Sequence, residues 1–472
     1  MNHTTASPQA ALPRIATGVP GLDEVTGGGF LQSGVYILQG APGAGKTILS
    51  NQIAYHHAAG GGNVVYVTLL AESHARLLQH MQSFSFFDPS AAPERIYYIS
   101  AFNALRSEGL PGVVKLLQAE MRARGAGLLV LDGLVMAAEA AASDESLKLF
   151  VSDLQAHSSL SGCTTLLLTS APADRGVTAE QTMVDGILLL RERAFGPRRE
   201  RNIEVVKFRG SRTLRGNHSF QIGPTGIVIF PRLESMPRGS ADFAATPVGV
   251  SLGVPGLDRM FDIGGIAQGS VATIAGASGS GKTTLALHFL AQSAAHERGI
   301  FLGFYETPKF LQAIARRLGI DPAGVLCGPN VEFLWQPLGE NLLDEVAQRL
   351  LERVEQSGAR RVVVDGLGGF LSAPAFAERG ESFLAAFANE LRRLGATTLM
   401  TIEDVDPSRA IQAAAMSAVA DTILRLRVTE HEAVRRFVWL GKSRMLRSDL
   451  RVRELALGAE GLSVRQEPDV VA

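Results

Sequence analysis

The chain has 472 residues, a net charge of −1, a pI near 6.8, 46% hydrophobic and 19% charged residues, and a mean hydropathy of +0.14. That length holds two or three domains with sizeable cores, and the near-neutral balance gives no global pull toward nucleic acid or acidic lipid. Two cysteines exclude a disulfide framework, and the longest apolar run, 128–142, is interrupted by Asp132 and Glu139 and is too short to span a bilayer.

Residues 1–12 carry no basic segment followed by an apolar one, so no secretory signal is expected and the chain reads as cytoplasmic. The first landmark is Gly18-Val19-Pro20-Gly21-Leu22-Asp23, with Gly27-Gly28-Gly29 after it. An apolar strand at 35–39 then enters Gly40-Ala41-Pro42-Gly43-Ala44-Gly45-Lys46-Thr47, which fits G-x-x-x-x-G-K-S/T and opens a helix. His56 and His57 on that helix are adjacent, point in different directions and make a poor metal site. The next strand, 64–69, leads to Glu72; in a parallel sheet it is expected beside the P-loop strand, which would let Glu72 poise water. A first-turn helix glutamate is the other reading.

A strand at 95–100 and a helix at 113–122 precede the apolar strand 128–131, which ends in Asp132 in the Walker B pattern. Residues 137–142 read as a small-residue helical segment, 146–158 as an amphipathic helix and 165–169 as a strand. Short apolar strands separated by helices indicate a buried, mainly parallel sheet. Closely spaced strands at 186–191, 203–208 and 226–230 predict an antiparallel extension of one edge, with Lys207 and Arg209 on a common face. That pair reads equally as a solvated basic strand or as a finger reaching a neighbouring subunit's nucleotide.

After a Pro-, Ser-, Gly- and Ala-rich stretch the whole series recurs. Gly253-Val254-Pro255-Gly256-Leu257-Asp258 repeats the first landmark at an offset of 235, and the lysines of the two P-loops, 46 and 282, differ by 236. The second P-loop is Gly276-Ala277-Ser278-Gly279-Ser280-Gly281-Lys282-Thr283, with Thr284 beyond it. Glu306 follows Phe304-Tyr305, Asp365 ends Val362-Val363-Val364, and Lys442 and Arg444 stand where Lys207 and Arg209 do. Offsets this uniform mean two copies of one fold, placed at 14–235 and 249–465 with a linker at 236–248. Cys163 and Cys327, one per copy, read as buried free thiols, and Trp335 and Trp439 as core or interface packing.

The P-loop glycines let successive N–H groups face phosphates at a helix N-terminus. Lys46 and Lys282 would reach the β/γ oxygens of ATP, Thr47 and Thr283 would ligate Mg²⁺, and Asp132 and Asp365 would support the metal. Together these residues resemble the KaiC family of RecA-like ATPases over nearly the whole chain, carried by both P-loops, both Walker B strands, Thr17-Gly18-Val19-Pro20-Gly21-Leu22-Asp23, Phe304-Tyr305-Glu306-Thr307-Pro308 and Lys207-Phe208-Arg209-Gly210. The resemblance implies two tandem RecA-like domains and a homo-oligomeric ring, typically a hexamer, with ATP at each subunit interface. It further implies slow hydrolysis, and that Lys207, Arg209, Lys442 and Arg444 act in trans.

The chain departs from the family at several points. Members often carry two adjacent glutamates at the water-activating position; here Tyr305 precedes Glu306, and Glu72 stands one residue further along. The family's phosphoacceptor pair precedes a segment like Asp421-Thr422-Ile423; its serine falls on Ser417 and its threonine on Ala418, which leaves Ser417 as the phosphosite the resemblance implies. Two other readings stay open. One is a recombination or repair ATPase, supported by basic clusters in each tail and opposed by Glu200, Glu204 and the near-neutral charge. The other is a non-hydrolysing scaffold gated by ATP, working with signalling proteins the sequence does not name.

Overall fold

The computed structural model describes residues 12–69, 74–170, 179–236, 239, 246–373, 375–403, 418–430, 433–444 and 446–465. The chain divides into two compact units, Met1–Ser235 and Met236–Ala472, each built on one nine-stranded sheet. In the first unit the order from one edge is Ile96–Ser100, Val64–Thr68, Leu128–Asp132, Thr164–Thr169, Val35–Gly40 and Gly186–Phe195, all parallel. Arg198–Phe208, Asn217–Gly223 and Gly226–Phe230 then continue the sheet antiparallel. The second unit repeats this order with Val331–Trp335, Gly299–Gly303, Arg361–Asp365, Thr397–Glu403, Val271–Gly276 and Thr422–Glu430, then Val434–Ser443, Arg453–Gly458 and Gly461–Val464. This is the expected α/β organisation, a mainly parallel sheet with an antiparallel C-terminal edge, made twice.

Alternation along the parallel strands explains why both faces are covered. Tyr36, Leu38, Val64, Tyr66, Leu128 and Val130 point to one side and pack on Leu49 and Ile53 of the P-loop helix Lys46–Ala59. Val35, Ile37, Val65, Val67, Leu129 and Leu131 point to the other and pack on Val113, Leu117, Phe150 and Leu154. Those last four come from helices Phe102–Arg124 and Asp144–Ser161; the former bends at Gly109, and the latter starts at a capping box between Ser143 and Ser146. Each such large side chain contributes about 1.5–3 kcal/mol by leaving water.

The strand order corrects one expectation. The strands leading toward Glu72 and Glu306 do not lie beside the P-loop strands; each neighbours the Walker B strand, three places away. The crossover after the P-loop helix skips two places in the sheet, which the Walker B strand and the strand after it fill. One side-chain expectation also changes. Cys163 is buried, its thiol pushed up to about 12 by burial, but Cys327 is exposed, with Arg316 donating to its sulfur at 3.0 Å. Trp335 ends an edge strand and is 44% exposed, outside the core, whereas Trp439 is half-buried.

Three repeated contacts fix the frame around each P-loop. Asp23 accepts from Thr17 N and Oγ1 at 3.0 and 2.7 Å, and Asp258 from Leu252 N and Ser251 Oγ at 2.7 and 2.6 Å, which gives the recurring Gly-Val-Pro-Gly-Leu-Asp segment its purpose. Asp185 and Asp421 accept from Val35 N and Val271 N at 2.9 and 3.0 Å, anchoring the start of each P-loop strand. Arg392 pairs with Asp421 at 3.0 Å. Behind each P-loop helix, Gln52 accepts from Ile227 N at 2.7 Å, and His288 Nε2 takes Leu462 N at 2.9 Å, tying down the last strand of each sheet.

Candidate functional site

Each P-loop leaves its strand where a side chain would not fit. A Cβ on Gly40 or Gly276 would lie 2.6 Å from the carbonyl oxygen of Leu190 or Leu426 on the neighbouring strand. Gly45 and Gly281 then cap their helices at φ 103°, in the left-handed region that glycine adopts without steric cost. The helix N-terminus and its free N–H groups therefore face the loop, a ready anion site. Lys46 Nζ donates to Gly40 O and Ala41 O at 2.7 and 3.0 Å, and Lys282 Nζ to Gly276 O and Ala277 O, both at 2.8 Å. Burial lowers both ammonium pKa values; Asp132 opposes this for Lys46, and Glu403 and Asp365 for Lys282.

The Walker B carboxylates meet the P-loop threonines. Thr47 Oγ1 donates to Asp132 Oδ2 at 3.2 Å, and Tyr66 OH donates to the same oxygen at 3.4 Å. Tyr66 is wholly buried, which raises its pKa well above the ordinary value and keeps its proton in place. In the second half Asp365 is hydrogen-bonded by Thr401 and Thr283, while Gly366 N donates to Thr401 Oγ1 at 2.7 Å. Burial pushes the Asp365 carboxyl up, and its hydrogen bonds and Lys282 pull it down. A hydroxyl and a carboxylate at a phosphate loop are the hard oxygen donors that suit Mg²⁺.

The second half opens a cleft of about 460 Å³ lined by Gly279, Gly281, Lys282, Thr283 and Thr284 of the loop and helix, and by Tyr305, Glu306 and Asp365 from the neighbouring strand ends. Glu306 reaches it because its strand ends beside that of Asp365. Its carboxyl is raised, first by burial and then by the charge of Asp365. Arg436, from the antiparallel tail, lines the same cleft and donates Nε to Gly279 O at 3.0 Å; Glu403 completes the rim. Glu72 and Ser417 lie outside the described residues.

Lys207, Arg209 and Arg444 of the Lys-x-Arg pairs hold backbone carbonyls of their own chain. Lys207 Nζ donates to Gln181 O and Thr182 O at 3.0 and 2.9 Å, and Arg209 to Met183 O and Thr182 O, both at 3.2 Å. These carbonyls end the helix Ala179–Met183, so the pair caps a helix C-terminus. Arg444 does the same at Ala418 O, 2.9 Å away. Burial lowers Lys207 and Lys442, with Arg209 and Arg444 adding repulsion.

Sequence reasoning missed Tyr66, Thr401, Glu403, Arg436 and the anchoring pair Asp185 and Asp421. Motif spacing carries no trace of the first four. A tyrosine inside Val64-Val65-Tyr66-Val67-Thr68 looks like ordinary strand core, and only sheet register brings it to Asp132. The anchors were open to discovery, since both precede a strand at an offset of 236, from 185 to 421. On the P-loop helix of the first half, His56 is exposed and His57 half-buried.

A family model described as ATPase: KaiC matches residues 15–234 and, a second time, 250–469. The chain is 25% identical over 487 residues to the circadian clock oscillator protein KaiC of a Picosynechococcus species, covering 98% of this chain and 92% of that protein. It is 25% identical to circadian clock oscillator protein KaiC 1 of a Synechocystis species, covering 97% and 90%, and 24% identical to circadian clock protein KaiC2 of the same genus, covering 98% and 83%.

Proposed function

Because the chain belongs to the KaiC family of ATPases, with two tandem RecA-like domains, we propose that each half binds ATP with Mg²⁺ and hydrolyses it slowly at seams between identical subunits of a hexameric ring. The observation that carries this reading is the second cleft, where Lys282, Thr283, Asp365 and a half-buried Glu306 line one cavity. On binding, Lys46 and Lys282 exchange their loop carbonyls for β/γ-phosphate oxygens, and the Gly40–Gly45 and Gly276–Gly281 loops offer N–H groups to the same phosphates. Thr47 with Asp132, and Thr283 with Asp365, hold the metal, which when bound neutralises phosphate charge. Glu306 accepts a proton from the attacking water, helped by a pKa raised toward neutrality. Glu72 has that task in the first half.

For Lys207, Arg209, Lys442 and Arg444 to stabilise phosphate charge across a seam, Lys207, Arg209 and Arg444 give up the carbonyls they hold. The relatives are named as circadian clock proteins; a regulatory role in the cytoplasm follows, in which nucleotide sets the assembly read by a signalling protein. The domains run over 14–235 and 249–465, joined by 236–248. Serine autokinase activity rests on Ser417 alone, and mass spectrometry after incubation with ATP would find its phosphate there.

The deciding experiment measures light scattering and phosphate release in one sample, with and without ATP and Mg²⁺. Assembly with release that Glu306→Gln reduces supports a slow ring ATPase. Assembly without release makes the chain a scaffold, and ATP binding retained by a Lys46→Ala/Lys282→Ala double variant overturns the site assignment.

A further inference from the structure

We propose that the two Walker B carboxylates are aimed by different hydroxyls: Tyr66 positions Asp132 from one neighbouring strand, and Thr401 positions Asp365 from the other. Tyr66 lies opposite Val130 in the sheet, so Asp132, two residues on, presents its side chain on the same face. The Tyr66 hydroxyl lies 3.4 Å from Asp132 Oδ2 and 3.1 Å from Ser50 Oγ, and Ser50 is held in turn by Thr47 O at 3.1 Å. The second half has Phe301 in that strand position, opposite Val363, and no hydroxyl is available there. Its carboxylate receives Thr401 instead, from the strand on the opposite flank.

The exchange is reciprocal. Asp132 stands opposite Leu168, the place equivalent to Thr401, and Leu168 is buried and apolar. Each half thus supplies one hydroxyl from a neighbouring strand and leaves the alternative position hydrophobic. The surroundings follow the same division: Ser50, Asn51 and Tyr98 make a polar network beneath Asp132, with Tyr98 OH donating to Asn51 Oδ1 at 2.8 Å, whereas Ala286, Leu287 and Phe333 occupy the matching places in the second half. A carboxylate's aim controls how well it supports a cation and its water, so outer partners of this kind tune metal affinity. The two sites are therefore set separately, and one can lose metal while the other keeps it. Tyr66 and Thr401 are positioning residues.

This inference rests on the nucleotide-binding reading above. Its test uses the full chain and a fluorescent ATP analogue, with MgCl₂ titrated in a Lys282→Ala background so that only the first half reports. Tyr66→Phe should raise the half-saturating Mg²⁺ by about tenfold and leave nucleotide affinity in EDTA unchanged. Adding Leu168→Thr, which restores a donor from the other flank, should bring the Mg²⁺ requirement back. Thr401→Val in a Lys46→Ala background gives the same measurement for the second half, and decides the matter if Tyr66→Phe does not fold. A purely structural tyrosine would lower the melting temperature and leave the Mg²⁺ curve in place, overturning the inference alone. A Lys282→Ala parent with no Mg²⁺-dependent binding overturns the nucleotide reading as well.

Discussion

Glu306 is held in a state that water would not choose. Its folded pKa lies above the ordinary carboxylate value of 4.5 because burial and Asp365 disfavour its charge. A carboxyl raised by folding binds its proton more tightly in the native state, so the native state loses stability as pH rises through the interval above 4.5 and regains it on acidification. Glu306→Gln is therefore expected to melt higher than the parent at pH 7 and to lose that advantage near pH 4, by calorimetry without nucleotide. The same substitution is expected to cut phosphate release from the second half by about 10²–10⁴-fold, the usual worth of a positioned base. Lys46→Ala and Lys282→Ala should each abolish nucleotide binding in their own half only, read by equilibrium dialysis with the other half silenced.

The anchoring contacts belong to the secondary-structure elements that carry the chemistry. Asp421 takes the N–H of Val271 at the start of the P-loop strand and pairs with Arg392, each side chain only 12–13% exposed. Removing Arg392 leaves that carboxylate buried without its cation; Arg392→Ala is expected to cost about 3 kcal/mol in urea unfolding of the second half. Asp185→Ala, which breaks the matching bond to Val35 N, should cost about 1 kcal/mol and speed amide exchange at Val35. These elements mark the limit of what the chain discloses by itself. The P-loops and Walker B ends were legible because strand, glycine turn and helix are contiguous in sequence, as at Val35–Gly40 and Lys46–Ala59. The order of strands was not, because Val64–Thr68 could join either flank of the P-loop strand and only packing chooses. Asn217–Gly223 escaped for a local reason: only Phe220 and Ile222 are apolar, with His218 where a third would stand, too brief an alternation to betray a strand.

Across the molecule, duplication has kept the frame and changed its chemistry. Among the described residues, the clusters around Leu49, Leu117 and Leu285 each draw their side chains from a single unit. Heating should therefore give two transitions, and saturating ATP with Mg²⁺ should raise both, by about 2.7 kcal/mol at a hundred times the dissociation constant. In Lys46→Ala only one transition should move, which calorimetry reads directly. The closing strands carry a difference of another kind. One hangs from the amide of Gln52, indifferent to acid, and the other from the imidazole of His288, whose pKa burial depresses below its ordinary 6.5. An imidazole that gains a proton on Nε2 can no longer accept from Leu462, so its contribution is present above pH 6.5 and drains away as pH falls beneath it. Mild acidity would then unfasten the C-terminal hem of one twin and spare the other, giving the pair an order of failure that neither P-loop dictates.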